Sequence, residues 1–156
     1  MPETGSVRSA RETVELLLRT TVSGTRDQIA DLYAPDVVIE IPFAPDGIPA
    51  VTNGRETVRA RMNAAASLFT FDSVSDVTLH ETADPEVVIA EYRIHGHLAS
   101  SGKPFSLTYV MVIRVRDGLI VWSRDYGNPL ETAGLVEEMK AGAAASRTSA
   151  VPAAEG

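Results

Sequence analysis

The sequence predicts an α+β domain in which a curved antiparallel sheet wraps around helices. Three observations carry that prediction. Apolar residues recur at helical spacing through the first part of the chain and then switch to period two. Four period-two runs, Val74–Glu81, Val87–Leu98, Phe105–Arg116 and Leu119–Tyr126, are joined by turns too short for anything but antiparallel neighbours. A last capped helix follows the final run. Helices on one face of such a sheet give an α+β layer, and a sheet bent around the third helix makes a cone whose open mouth suits a small molecule.

The elements follow in order. Met1–Arg8 reads as a disordered arm. Ser9-Ala10-Arg11-Glu12 is a capping box, after which Val14, Leu17, Leu18 and Thr21 mark a helix that Gly24 stops. A short second helix is expected from Thr25 to Tyr33, with Ile29, Leu32 and Tyr33 inward. Ala34-Pro35-Asp36 turns into the strand Val37–Ile41, ended by Pro42. The loop from Pro42 to Val51 is apolar for a loop because of Phe43 and Ile48. Asn53, with Glu56 three residues on, is expected to cap a third helix whose buried stripe is Val58, Met62, Ala65, Ala66 and Phe69. The strands are separated by Asp84-Pro85-Glu86, Ser100-Ser101-Gly102-Lys103 and Arg116-Asp117-Gly118. Asn128, Pro129 and Glu131 suit a helix start, and the helix is expected to reach about Lys140. Residues 141–156, rich in Ala, Ser and Gly without an apolar face, are expected to be a disordered tail. The domain is then 9–140.

Composition removes several function classes. The 156 residues suffice for one core, and 44% are apolar. With 14 basic against 21 acidic residues, the net charge of −7 argues against a nucleic-acid binder and against an anionic membrane surface. The absence of cysteine excludes disulfides, thiolate nucleophiles and Cys-ligated metals. No apolar run is long enough to cross a membrane, and the first residues lack a signal-peptide core, so the expected location is the cytoplasm. There is no serine-nucleophile motif, glycine-rich phosphate loop or dinucleotide fingerprint, and no cofactor is expected. What remains is proton transfer by carboxylates and histidines in a pocket of low dielectric.

The main candidate is Asp125, at the end of a strand that hands directly to a capped helix. On the last strand Leu119, Val121, Ser123 and Asp125 share one parity and Ile120, Trp122, Arg124 and Tyr126 the other. Both parities are apolar early and polar late. On the strand Val87–Leu98, one face carries Ile89, Glu91, Arg93, His95 and His97. This face reads either as the polar wall of a reaction pocket or as a solvent-facing side with an ordinary charge pair. His95 and His97 lack a third ligand at a convincing spacing, so no metal site is expected. Glu40, on the first strand, either faces the pocket or is exposed. Tyr33, Phe43, Met62, Phe69, Tyr109, Met111, Trp122 and Tyr126 are the apolar and aromatic wall candidates. Asp125 itself has a second reading, as a surface cap complementing the helix start.

Leu32-Tyr33-Ala34-Pro35-Asp36, Asn53-Gly54-Arg55-Glu56-Thr57-Val58 and Gly118 to Tyr126 carry a resemblance to the SnoaL-like members of the nuclear-transport-factor-2-like superfamily, the cone-shaped fold of ketosteroid isomerase. The resemblance spans roughly residues 9–139. His80-Glu81-Thr82-Ala83-Asp84-Pro85 and Ile94-His95-Gly96-His97 are similar to the phenazine-biosynthesis A/B branch, whose acid/base residue lies in the final strand where Asp125 stands. The Trp-Arg-Asp-Tyr end is similar to limonene epoxide hydrolase, and Glu91 with Arg93 resembles its strand Arg–Asp pair in reversed order. The acidic positions of ketosteroid isomerase fall at Ile41 and near Met111, and its helix-one tyrosine near Leu17, so steroid-type isomerisation is not implied. Arg61 stands where the phenazine branch has a histidine. The resemblance implies a homodimeric, cofactor-independent cyclase, isomerase, dehydratase or epoxide hydrolase acting on a small apolar or polyketide-like substrate in specialised metabolism. Asp125 would be its acid/base, assisted by Glu91, Arg93 and His95, with Glu40 across the pocket. The fold also hosts non-catalytic binding and accessory proteins.

Overall fold

A computed structural model of the protein describes residues 5–149. The elements are α1 (Ala10–Ser23), α2 (Arg26–Ala30), β1 (Tyr33–Glu40), β2 (Val51–Asn53), α3 (Arg55–Ala65), β3 (Phe69–Glu81), β4 (Val87–Leu98), β5 (Pro104–Arg116), β6 (Leu119–Gly127) and α4 (Pro129–Ser149). All six strands form one sheet in the order β2-β1-β6-β5-β4-β3. The four-strand run β3 to β6 is antiparallel throughout, as its short turns require. β1, however, lies parallel to β6, and β2 adds an antiparallel edge to it. A turn-based reading sees only neighbours in sequence, so this distant parallel pairing escapes it.

The helix starts show how local chemistry sets these boundaries. Ser9 and Thr25 both form reciprocal capping boxes, with Glu12 and Gln28 returning the hydrogen bond. The guanidinium of Arg8 donates to the carbonyl of Gly118 at 2.8 Å, tying the end of the expected arm to the β5–β6 turn. Asn53 does not cap α3. It lies in β2, paired with Val38 of β1, and the N-cap is Gly54 at φ 90°, a left-handed conformation that glycine adopts without strain. β1 begins at Tyr33 rather than Val37, and the ladder to β6 is irregular between Tyr33 and Val38, around Pro35. Of the expected α3 stripe, Val58 is fully buried, Ala66 is exposed and Phe69 opens β3. α4 continues nine residues beyond Lys140 as far as Ser149. Ala-rich sequence has the highest helix propensity, so it stays helical without an apolar face; residues 150–156 lie outside the described residues.

The core lies between the helices and one face of the sheet. On β4 this face is Val88, Ala90, Tyr92, Ile94 and Leu98; on β5 it is Leu107, Met111, Ile113 and Val115. Val14, Leu17 and Leu18 of α1 and Ile29 of α2 cover it. Gly96 belongs to the same face. A Cβ there would sit 2.3 Å from the Thr70 carbonyl oxygen and 2.7 Å from the Phe105 ring. That vacancy lets Phe105 lie across β4 and meet Phe69 and Phe71, with centroids 5.7 and 6.2 Å away.

Gly96→Ala should therefore be destabilising, by about 2 kcal/mol or more, because the nearest obstacle is backbone. Urea denaturation checks it. An unchanged midpoint would mean that β3 and β4 can separate without cost.

Candidate active site

β6 breaks the alternation of a strand once. Arg114 pairs with Trp122 and Val115 with Ile120, leaving Val121 unpaired as a bulge. Before it Ile120 is buried inward; after it Ser123 and Asp125 are the inward residues, opposite Ile113 and Met111. Trp122, Arg124 and Tyr126 consequently face outward. The mixed polarity of both parities in the sequence has this cause, and the bulge aims Asp125 at the interior.

Asp125 stands where two cavities meet. One, of about 210 Å³, lies between the sheet, the Ile41–Ile48 segment and α4, and its wall includes Phe43, Phe69, Leu107, Leu135 and Met139. The other, of about 190 Å³, lies under α1, α2 and α3, and includes Leu17, Arg26, Tyr33, Met62, Tyr92 and Met111. Asp125, Phe71 and Tyr109 line both.

The electrostatics follow from burial. Removing a carboxylate from water disfavours its charged form, and Asp125 is pushed up to about 6. The Ser123 hydroxyl donates to Asp125 Oδ1 at 3.0 Å and pulls in the other direction. Tyr33, Tyr92 and Tyr109 are held above the ordinary phenol range, first by burial and then by the Asp125 charge, with Tyr109 at about 12. They are hydrogen-bond donors throughout the neutral range. Tyr92 donates to the Met111 sulfur at 2.9 Å. The Tyr33 and Tyr109 hydroxyls bond to no described residue, yet no fully buried side-chain polar atom among those described lacks a partner. These two oxygens are therefore open to the cavity.

Six of the eight wall candidates, Tyr33, Phe43, Met62, Phe69, Tyr109 and Met111, line these cavities. Phe43 sits at the rim, 59% exposed, with its ring 5.8 Å from Tyr126. Trp122 and Tyr126 do not line them, because the bulge turns both outward.

The expected polar partners of Asp125 are on the wrong side of the sheet. β4 presents its apolar parity to the core, so Glu91, Arg93 and His95 face outward, a sheet thickness from the cavity. Glu91 accepts from or donates to no cavity group; its carboxylate meets His80 Nε2 at 2.6 Å. His95 lies between the hydroxyls of Ser75 and Ser106, each at 2.7 Å, and His97 meets Asp72 at 2.8 Å. Glu40 aligns with outward-facing Arg124 across β1 and β6, and accepts from its Nε at 3.0 Å. The same guanidinium lies 4.8 Å from the Trp122 ring centroid. The Glu91–Arg93 resemblance to an epoxide-opening pair thus has no counterpart in the cavity. Arg61 bonds to the Thr52 hydroxyl.

One charged residue of the cavity escaped the sequence reading. Arg26, the first residue of α2, lines the inner lobe, lies 5.9 Å from the Phe69 ring centroid and donates to the Phe69 carbonyl at 3.3 Å. It makes no ion pair with a described residue. Its spacing of three from inward Ile29 was the available signal.

The raised carboxyl has a stability consequence. The folded state binds a proton between about 4 and about 6 that the unfolded chain does not, so stability falls as pH rises across that window and is flat above it. Asp125→Asn removes this penalty. It should match the wild type near pH 4 and exceed it by roughly 2 kcal/mol at pH 8, read by urea denaturation at the two pH values. No gain at pH 8 would mean that the charge is not desolvated.

Comparison with known proteins places this geometry. The family model described as a SnoaL-like domain matches residues 14–123. An uncharacterized PhzA/B-like protein of Pseudomonas aeruginosa is 37% identical over 78% of this chain and 86% of its own length. A solved structure of a candidate isomerase from Bacillus subtilis is 31% identical, covers 85% of this chain and 93% of that one, and superposes with a TM-score of 0.74. A candidate polyketide cyclase from Pseudomonas putida, 18% identical with 82% and 98% covered, shares the fold at a TM-score of 0.70. The inward carboxylate of β6 lies two residues past the matched segment, the fold is shared with the two solved structures, and the chain belongs to the SnoaL-like domain family.

Proposed function

We propose that this protein is a cofactor-independent enzyme of cyclase or isomerase type, in which Asp125 moves a proton on a small apolar, polyketide-like substrate. The observation that carries the reading is a carboxyl pushed up to about 6 at the junction of two largely apolar lobes. A general base works best when its pKa lies near the working pH, where it is both mostly ionised and basic enough to accept a proton. Water exclusion raises the basicity of the carboxylate; the apolar walls hold the substrate against it. The free hydroxyls of Tyr33 and Tyr109 offer donors to an oxygen of the substrate, and Arg26 offers a cation to an anionic or strongly polar end. Dehydration or water addition could use the same carboxylate, but the relatives described as isomerase and cyclase favour the first two classes. The proposal places the enzyme in specialised metabolism. A non-catalytic binding module is the alternative reading. The proposal includes a homodimer formed through the outer sheet face, where Val110 is 36% exposed and pairs with Tyr126, two residues along β6 from the Arg124 that binds Glu40; a monomer in light scattering rejects that part.

The test is proton exchange. Incubated in deuterium oxide with a panel of enolisable polyketide-like ketones, the wild type should catalyse deuterium incorporation or ring closure. Asp125→Asn should lose ~10²–10⁴-fold of this rate while keeping its circular dichroism. The rate should fall as pH drops through about 6, since the base form is then lost. Undiminished turnover by Asp125→Asn excludes the assignment; ligand binding without exchange by the wild type favours the binding module. Tyr33→Phe should lower kcat/KM on the order of tenfold, measured in the same assay.

A further inference from the structure

The hydroxyl that touches Asp125 has no evident structural purpose. Ser123 is 1% exposed and inward, aligned with Ile113 on β5 and Ile39 on β1, both apolar. In that niche an alanine would leave no polar group to desolvate. The hydrogen bond of Ser123 runs to Asp125, two residues on in the same strand, at 3.0 Å. It joins no two elements and adds nothing to the tertiary fold. We infer that Ser123 is a positioning residue, which holds Oδ1 of Asp125 and leaves Oδ2 as the oxygen that exchanges a proton with the substrate. The inference rests on the reading of Asp125 as the acid/base.

The chemistry is determined by the donor. A carboxylate has only acceptors, so the Ser123 O–H donates. A hydrogen bond to a charged acceptor is stronger than one to a neutral carboxyl, so this contact favours the ionised form over the protonated one. It works against burial and keeps Asp125 a base near neutrality. Protonation on Oδ2 leaves Oδ1 free to keep accepting from Ser123, so the side chain need not rotate between the two states. The other titratable or charged groups facing the site are Tyr33 of β1, Tyr92 of β4, Tyr109 of β5 and Arg26 of α2, with Glu131 of α4 acting on Tyr109. None of these hydrogen-bonds the carboxylate, so Ser123 is its one side-chain partner among the described residues.

The experiment is a carboxyl ¹³C NMR titration of the full chain, assigned with Asp125→Asn, for wild type, Ser123→Ala, Ser123→Cys and Ser123→Thr. Removing the donor in Ser123→Ala should raise the Asp125 midpoint by about one unit. Ser123→Cys, with its weak S–H donor, should fall between, and Ser123→Thr should restore the wild-type value. In the exchange assay Ser123→Ala should lose several-fold in kcat at pH 6.5 and recover at pH 8, with KM little changed. An Asp125 midpoint that stays put in folded Ser123→Ala or Ser123→Cys overturns the inference. Because the titration needs no substrate, its failure is separate from that of the catalytic reading, which falls if Asp125→Asn retains turnover.

Discussion

A strand that points one side chain into a core must point the next one out, and β6 escapes this rule once. The unpaired Val121 shifts the phase of everything after it. Were Val121 paired with Arg114 in a regular ladder, the partners of Met111 and Ile113 would be Arg124 and Trp122. A guanidinium would then enter the apolar interior, while Ser123 and Asp125 faced outward. The bulge thus decides which charge the core must accommodate. It admits a carboxylate with one hydroxyl beside it and leaves the cation outside, stacked on Trp122 and paired with Glu40.

Accommodating that carboxylate sets the character of the cavity. Its neighbours across the sheet and helices are methionine, leucine and three tyrosines, which offer little solvation to a negative charge. The proton affinity of Asp125 rises as a direct consequence, and so does that of each phenol nearby. The acidic group and its surroundings therefore respond in opposite functional senses: the carboxyl becomes a better base, while the phenols become more secure donors. A cavity with both properties is less stable than an apolar core of the same shape, because a desolvated charge carries a free-energy cost that an apolar side chain does not.

Much of the fold could be read from local pattern. The alternation Val88-Ala90-Tyr92-Ile94 marks the buried face of β4 without ambiguity, and the capping box at Ser9 marks the first helix start. The site was harder. Asp125 and most of the wall residues were identifiable by type and position. The partners Glu91, Arg93 and His95 were not assignable, because period two groups residues by face without saying which face holds the cavity. Here the apolar parity faces inward, and the ionisable one that looked like a reaction wall is an outer surface. Glu40 depended on a parallel pairing that no turn announces. On β6 the mixed parities were the bulge's trace, read as burial on both sides. Ser123 gives no sign at all in sequence, since a serine in a strand is unremarkable until its neighbours are known to be Ile113 and Ile39.

The walls of the cavity are not equally firm. Most belong to strands locked in ladders on both sides, whereas α4 follows Asp125 by four residues and lies over the outer lobe through Leu135, Val136 and Met139. Its described ion pair to the β4–β5 turn, Lys103 with Glu138 at 2.6 Å, is exposed and screened by salt. Local unfolding begins where few apolar contacts and solvated ion pairs hold an element. Hydrogen exchange should then find α4 opening more readily than β6, so that the inward carboxylate is anchored in a strand paired on both sides and roofed by a looser helix.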